Sequence, residues 1–383
     1  MLYYQKALTY IAEFNFLDAE KELKKAIVLD DENFWYTNLY GIVLHRVLKY
    51  EEAIKYNKKN IDQLRQSIKN LRYLAFSYNN ISLVYLDLGN LKLAKLYGLK
   101  AVTIRKTILG ENHLYLAESY SSLSMIYLAL GDIKLAQNYA LKGLTIGEKI
   151  LDKNDPKLAT HYNNLAMTYQ YLGNLEHAKS YYLKSLIIRE KILDKNHPDI
   201  ADSYSNISTL YRDLRNLTLA KEYALKALTI REKTLDKNHR DLATSYNNIS
   251  LVYLDLGDLK LAKKYALKAL TIREKILDKN HPDLAVSYNN ISLIYKYLGD
   301  LKRAKGYSLK GLIIDEKTLY DNHPSLATSY SNVSIIFYEL NNCEKAKKYN
   351  EESIKIMKSK FPNGHPNLEF FYILKKEIAK KCK

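Results

Sequence analysis

An alanine returns every 42 residues along this chain: Ala94, Ala136, Ala178, Ala220, Ala262, Ala304 and Ala346, without a gap. Upstream the step shortens to 41, at Ala53, and then to 34, at Ala19. A fixed period constrains a fold more than composition does. Each copy must build the same small unit, and a unit that small buries its apolar faces only by stacking on its neighbours. Nine units result, and they leave little of the 383 residues outside the array.

Each unit reads as two helices. In the copy around Ala262, Tyr246, Ile249, Ser250 and Tyr253 are spaced i, i+3, i+4 and i+7, the stripe of a helix ending near Asp255. Gly257 then stands where a helix C-cap needs a left-handed residue. A second stripe, Ala262, Tyr265, Ala269 and Ile272, predicts a helix from about Leu259 to Leu277. "DKNHPD" breaks it, and Pro282 falls in the first turn of the next helix. Small residues hold two fixed places. Ala7, Gly41, Ser82, Ser124, Ala166, Ser208, Ser250, Ser292 and Ser334 form one row, and Ala101, Gly143, Ser185, Ala227, Ala269, Gly311 and Ser353 the other. Such rows let two helices approach closely while the tyrosines fill the space beside them. The expected fold is all-α: an α-solenoid of about nine helical hairpins.

With a large residue at position 4, a small one at 8, Tyr at 11, Gly at 15, Ala at 20 and a small one at 27, the unit resembles the tetratricopeptide repeat. Its 42-residue period, with "ALTIREKILDKNHPDLA", resembles the longer form found in kinesin light chains and many bacterial proteins. The resemblance implies a right-handed superhelix. Residues 1–73 read as two ordinary units, 74–367 as seven long ones, and 368–383 as a Lys-rich capping helix marked by Leu368, Phe371 and Leu374. Met1 already lies within the first helical pattern, which predicts a frayed first repeat or a longer natural chain. Arg215 and Asn341 stand where the turn glycine belongs; Asn tolerates the left-handed region, whereas Arg predicts a distorted turn.

In that family the first helix of each hairpin lines a concave groove. Position 6 there reads Asn80, Ser122, Asn164, Asn206, Asn248, Asn290 and Asn332. Asn is a mediocre helix former, and packing alone gives it no reason to recur. Its amide offers donors and an acceptor, enough to pair with the N–H and C=O of one extended residue. Related arrays hold ligand backbone this way, so the resemblance implies a protein or peptide ligand gripped by an Asn ladder. The competing reading is that these amides bond only to neighbouring helices or water. Position 9 supplies a mostly apolar floor with Leu83, Met167, Leu251 and Leu293, and positions 12 and 13 supply Arg212, Tyr171 and Tyr297 among mixed charges. Position 2 carries no Lys or Arg, which disfavours a carboxylate clamp of the kind some relatives use.

The remaining patterns point away from chemistry. His113, His197, His239, His281, His323 and His365 recur once per unit beside helix starts, where one copy has Asp155. Ligands on successive hairpins lie about 10 Å apart, too far to converge on one ion, so a helix-capping role is expected. No phosphate loop, dinucleotide fingerprint, metalloprotease helix or nucleophile elbow is present. These absences read as a non-enzymatic chain with no cofactor and no metal. The net charge is +17. Lys100, Lys142, Lys184, Lys226, Lys268 and Lys310, with Arg105, Arg189, Arg231 and Arg273, predict a basic stripe on the convex side. That stripe would suit nucleic acid or an anionic membrane, although no nucleic-acid-reading module accompanies it and a solvated face is favoured.

Two cysteines, Cys343 and Cys382, predict reduced thiols and a cytoplasmic location. No stretch is apolar enough for a transmembrane helix, and the N-terminus has no signal-peptide pattern. The expected function is that of a binding scaffold for an extended or helical peptide segment. A peptide-sensing regulator, a cargo adaptor and a basic-face binder are its alternatives. The sequence sets neither the partner nor the oligomeric state.

Overall fold

The computed structural model describes residues 1–13, 15–65, 70–360 and 366–381, and all regular structure among them is helical. The helices fall into two compact units. Within Met1–Leu151 lie α1 (Leu2–Ala12), α2 (Phe16–Leu29), α3 (Phe34–Arg46), α4 (Tyr50–Leu64), α5 (Leu71–Asp87), α6 (Leu91–Leu109), α7 (Leu114–Ala129) and α8 (Ile133–Ile150). Within Asp152–Lys383 lie α9 (Pro156–Tyr171), α10 (Leu175–Ile192), α11 (Pro198–Asp213), α12 (Leu217–Thr234), α13 (Arg240–Asp255), α14 (Leu259–Ile276), α15 (Pro282–Tyr297), α16 (Leu301–Thr318), α17 (Pro324–Glu339), α18 (Cys343–Lys360) and α19 (Pro366–Lys381). Each odd-numbered helix from α1 to α17 packs on the even one after it, and inside each unit each even helix that has an odd one after it packs on that helix. This is the consecutive hairpin stack of an α-solenoid.

The caps explain the boundaries. Helix α13 begins at Arg240, well before the Tyr246 of the apolar stripe, because His239 accepts from the Asp241 N–H at 3.1 Å on its Nδ1. His113, His197, His281 and His323 do the same for α7, α11, α15 and α17 at 3.0–3.1 Å. Asp155 caps α9 through the Lys157 N–H at 2.7 Å. The histidine row is thus a row of N-caps, while His365 lies outside the described residues.

Within the hairpin, Gly257 takes φ +80°, donates to Leu254 O at 3.0 Å, and lets Asp258 N reach Tyr253 O at 2.9 Å. Arg215, at φ +60°, makes the equivalent bonds to Arg212 O at 3.0 Å and from Asn216 N to Tyr211 O at 2.9 Å. Asn341 sits at φ +59°. The distortion expected at Arg215 is therefore absent. The flanking helices and two backbone bonds impose the glycine geometry on Arg, at a cost of roughly 1–2 kcal/mol.

The small residues do what close packing requires. Ala262, Ala269, Ser250 and their equivalents are buried, and the Ser208, Ser292 and Ser334 hydroxyls donate to the carbonyls of Ala220, Ala304 and Ala346 at 2.6–2.8 Å. Beside them each long hairpin sets three rings together. Tyr253 and Tyr265 stack at 5.7 Å and 4°, Tyr246 and Tyr265 at 5.9 Å, and Lys268 Nζ lies 4.8 Å from the Tyr246 centroid. Lys100, Lys142, Lys184, Lys226 and Lys310 sit over equivalent tyrosines.

The arginine row is not on an outer surface. Arg105, Arg189, Arg231 and Arg273 are 2–6 % exposed. Each reaches from an even helix into the start of the next odd one. Arg273 Nη1, for example, donates to Asp283 O at 3.0 Å and to Ser287 Oγ at 2.8 Å. Helix capping leaves carbonyls and a serine to be satisfied in that crevice, and a long cation fills it. The predicted basic stripe therefore loses its arginines and keeps only lysines. The reduced-thiol expectation also fails at Cys343, which is disulfide-bonded, while Cys382 lies outside the described residues.

Candidate functional site

Odd-numbered helices of successive hairpins touch one another, as α11 does α13 and α15 does α17, whereas no even-numbered pair matches them. Their free surface is thus the inner side of the local stack. On it the sequence-predicted residues occupy three rows.

The Asn row is cross-linked. Asn206 Nδ2 donates to Asn163 Oδ1 of the preceding repeat at 2.9 Å, Asn248 to Ser205 Oγ at 2.9 Å, and Asn290 to Asn247 Oδ1 at 2.8 Å. In the N-terminal unit Asn80 donates to Asn38 Oδ1 at 3.0 Å. One amide proton of each is therefore committed to the neighbouring hairpin, as the competing reading held for these amides. The Oδ1 atoms of Asn80, Asn206, Asn248 and Asn290 accept nothing from the described residues, and all four side chains are only half-buried. Asn164 is buried, with its Nδ2 unpartnered.

Asn332 is different. It bonds to no described residue, because Asn289, which stands to it as Asn247 does to Asn290, turns elsewhere. Asp315 occupies the place that Arg273 holds one repeat earlier. Ser329 Oγ donates to Asp315 Oδ2 at 2.5 Å, and Asn289 Nδ2 follows to Ser329 Oγ at 2.7 Å. Burial pushes the Asp315 carboxyl up to about 6.

The floor row is half core. Leu251 and Leu293 pack on the cluster built around Ile249 and Ile291, and Met167 packs on that around Leu186 and Ile207. Leu83 is likewise half-buried. The third row is paired. Arg212 Nε lies 3.5 Å from Asp255 Oδ2 of the next repeat, and Gln170 Nε2 donates to Asp213 Oδ2 at 2.6 Å. Tyr171 and Tyr297 stay 58 % and 56 % exposed. Sequence reasoning found the rows and missed the bonds between them. The constant 14-residue offset of Arg105–Ser119, Arg189–Ser203, Arg231–Ser245 and Arg273–Ser287 was the available signal for the buried crevice. Among the described residues, no group of three or more His, Cys, Asp or Glu side chains is placed to hold a metal ion, and no helix is long and apolar enough to cross a membrane.

Tetratricopeptide repeat models match residues 73–149, 157–233, 204–275, 241–317 and 326–367, most of the chain. The chain belongs to the tetratricopeptide repeat family. Among solved structures, this tetratricopeptide chain is similar to a Rap protein complexed with competence and sporulation factor, at 16 % identity over 91 % of this chain and 99 % of that one, with TM-score 0.62. The quorum sensor NprR from B. thuringiensis is similar at 18 % identity over 93 % and 97 %, with TM-score 0.58. BtubC (BKLC) from P. vanneervenii aligns at 23 % identity over 59 % and 92 %, with TM-score 0.47. No curated protein matches. At such identities the likeness to the Rap protein and NprR shows the fold alone.

Proposed function

We propose that this tetratricopeptide protein is a non-enzymatic scaffold that holds a peptide segment along the inner face of its odd-numbered helices. One observation carries the reading. Asn206, Asn248 and Asn290 are each fixed by one inter-repeat bond while their carbonyl oxygens face no protein donor among the described residues. Amides oriented in advance lose little further entropy on binding, so an acceptor repeated once per hairpin can meet backbone N–H groups at intervals along an extended chain. The Rap protein in complex with competence and sporulation factor, and the quorum sensor NprR, support a sensing variant of this reading. The basic-face alternative is weakened because its arginines are buried.

The test is affinity capture from the native cell by the wild-type chain and by Asn206→Ala/Asn248→Ala, with circular dichroism verifying that the variant is folded. Retention of partners by the wild type at moderate salt, and their loss from the folded variant, is expected. Capture of the same partners by both would end the proposal.

A further inference from the structure

The net charge of +17 invites an acidic ligand, but the inner face does not share it. Its third row, read along α9, α11, α13, α15 and α17, is Tyr171, Asp213, Asp255, Tyr297 and Glu339. Both aspartates are taken: Gln170 donates to Asp213 at 2.6 Å, and Arg212 lies 3.5 Å from Asp255. Higher on the same helices Asp202 pairs with buried Arg231, and Asp283 with Arg240 Nε at 3.1 Å. Lys184, Lys226, Lys268 and Lys310 of the even helices lie over tyrosine rings instead. Lys296, on the face itself, rests its Nζ 4.3 Å from the Tyr297 centroid. From Tyr171 to Tyr297, what the row leaves open is aromatic, and an exposed Glu339 follows it. Tyr171 and Tyr297 break the acidic series, and each exposes more than half of its surface. Val286, on the same helix as Tyr297, is 46 % exposed.

We infer that the segment this face takes is extended, carries little net charge, and presents two bulky apolar or aromatic side chains about nine residues apart, one seated at Tyr171 and the other at Tyr297. The inference rests on the binding reading above and adds the chemistry of the ligand to it. The spacing follows from the array. Residues 171 and 297 stand three repeats apart, roughly 30 Å at about 10 Å per packed hairpin, and an extended chain rises about 3.3 Å per residue. Side chains at that spacing fill the two open positions. The residues between them cross a stretch where Arg212 offsets the charge of Asp255 and the Gln170 amide occupies one oxygen of Asp213. Exposed tyrosines are the residue type that anchors such contacts, because a large amphipathic ring orders at little entropic cost.

The experiment selects a phage-displayed library of random peptides about 16 residues long, enough to span both subsites with flanks, on the immobilised full chain. Enriched peptides are expected to carry apolar or aromatic residues eight to ten positions apart, about the spacing derived above, with low net charge. Clones from that selection should lose about tenfold or more in affinity for Tyr297→Asp, which restores the acid of the neighbouring repeats, and similarly for Tyr171→Asp. The outer-face variant Lys268→Ala should bind them as the wild type does. Enriched peptides that are predominantly acidic, or that bind Tyr297→Asp and Tyr171→Asp as tightly as the wild type, would overturn the inference and leave the scaffold reading standing. Selection that yields no peptide above background would overturn both.

Discussion

Asn290 donates from Nδ2 to Asn247 Oδ1 at 2.8 Å, so two side chains 43 residues apart tie one repeat to the next. The bond gives the Asn row a structural role independent of any ligand. It also makes the two roles separable by mutation.

Asn290→Ala leaves the buried Asn247 oxygen without its donor and should cost about 1–2 kcal/mol of stability. Asn332→Ala removes an amide that bonds no described residue and should stay within about 0.5 kcal/mol of the wild type. Urea unfolding of the two variants reads the difference. Equal losses would mean that the inter-repeat bond carries no stability.

Asp315 should make its repeat sensitive to pH. Burial raises its folded pKa to about 6, above the ordinary carboxylate value. The folded state therefore favours the protonated form. Its stabilising contribution is complete below the unfolded pKa and is lost as pH rises through about 6. Asp315→Asn keeps an acceptor for Ser329 and has no charge to bury. It should match the wild type near pH 4 and exceed it by roughly 3 kcal/mol at pH 7. Thermal melts across that range test this, and a pH-independent difference would contradict it.

His239 should show the opposite slope. Its Nδ1 must be unprotonated to accept from the Asp241 N–H, and burial lowers its pKa below the ordinary value, against the pull of Asp241, Asp236 and Asp202 and together with Arg231. The unfolded chain takes up the proton first, so this stability is present above about pH 6.5 and declines as pH falls below it. His239→Asp, which copies the Asp155 cap of α9, should hold α13 in place and flatten that decline. A titration of stability that is unchanged by the substitution would refute the assignment.

Arg215→Gly should stabilise the chain by about 1 kcal/mol, since φ +60° suits glycine and strains arginine. Part of the gain is offset because glycine is freer in the unfolded state. Denaturant midpoints measure the net effect. A loss of stability would show that the Arg215 side chain contributes more than its backbone costs.

Most of the fold was legible because it is written in spacing. The 42-residue period, the small rows at Ser250 and Ala269, the turn at Gly257 and the histidine caps each follow from local sterics or from one helix's own hydrogen bonds, and the sequence specifies those directly. The candidate site was legible as rows of residues and no further. That Arg273 is buried in a crevice, that Asn290 is tied to Asn247, and that Asp213 and Asp255 are bonded by Gln170 and Arg212 while Tyr171 and Tyr297 stay open depends on atoms brought together from different repeats. The repeat sequence determined the hairpin and its stacking, because every copy must bury the same faces. Only the tertiary structure decided which polar groups the neighbours consume, because a side chain's remaining hydrogen-bond capacity is set by what packs against it.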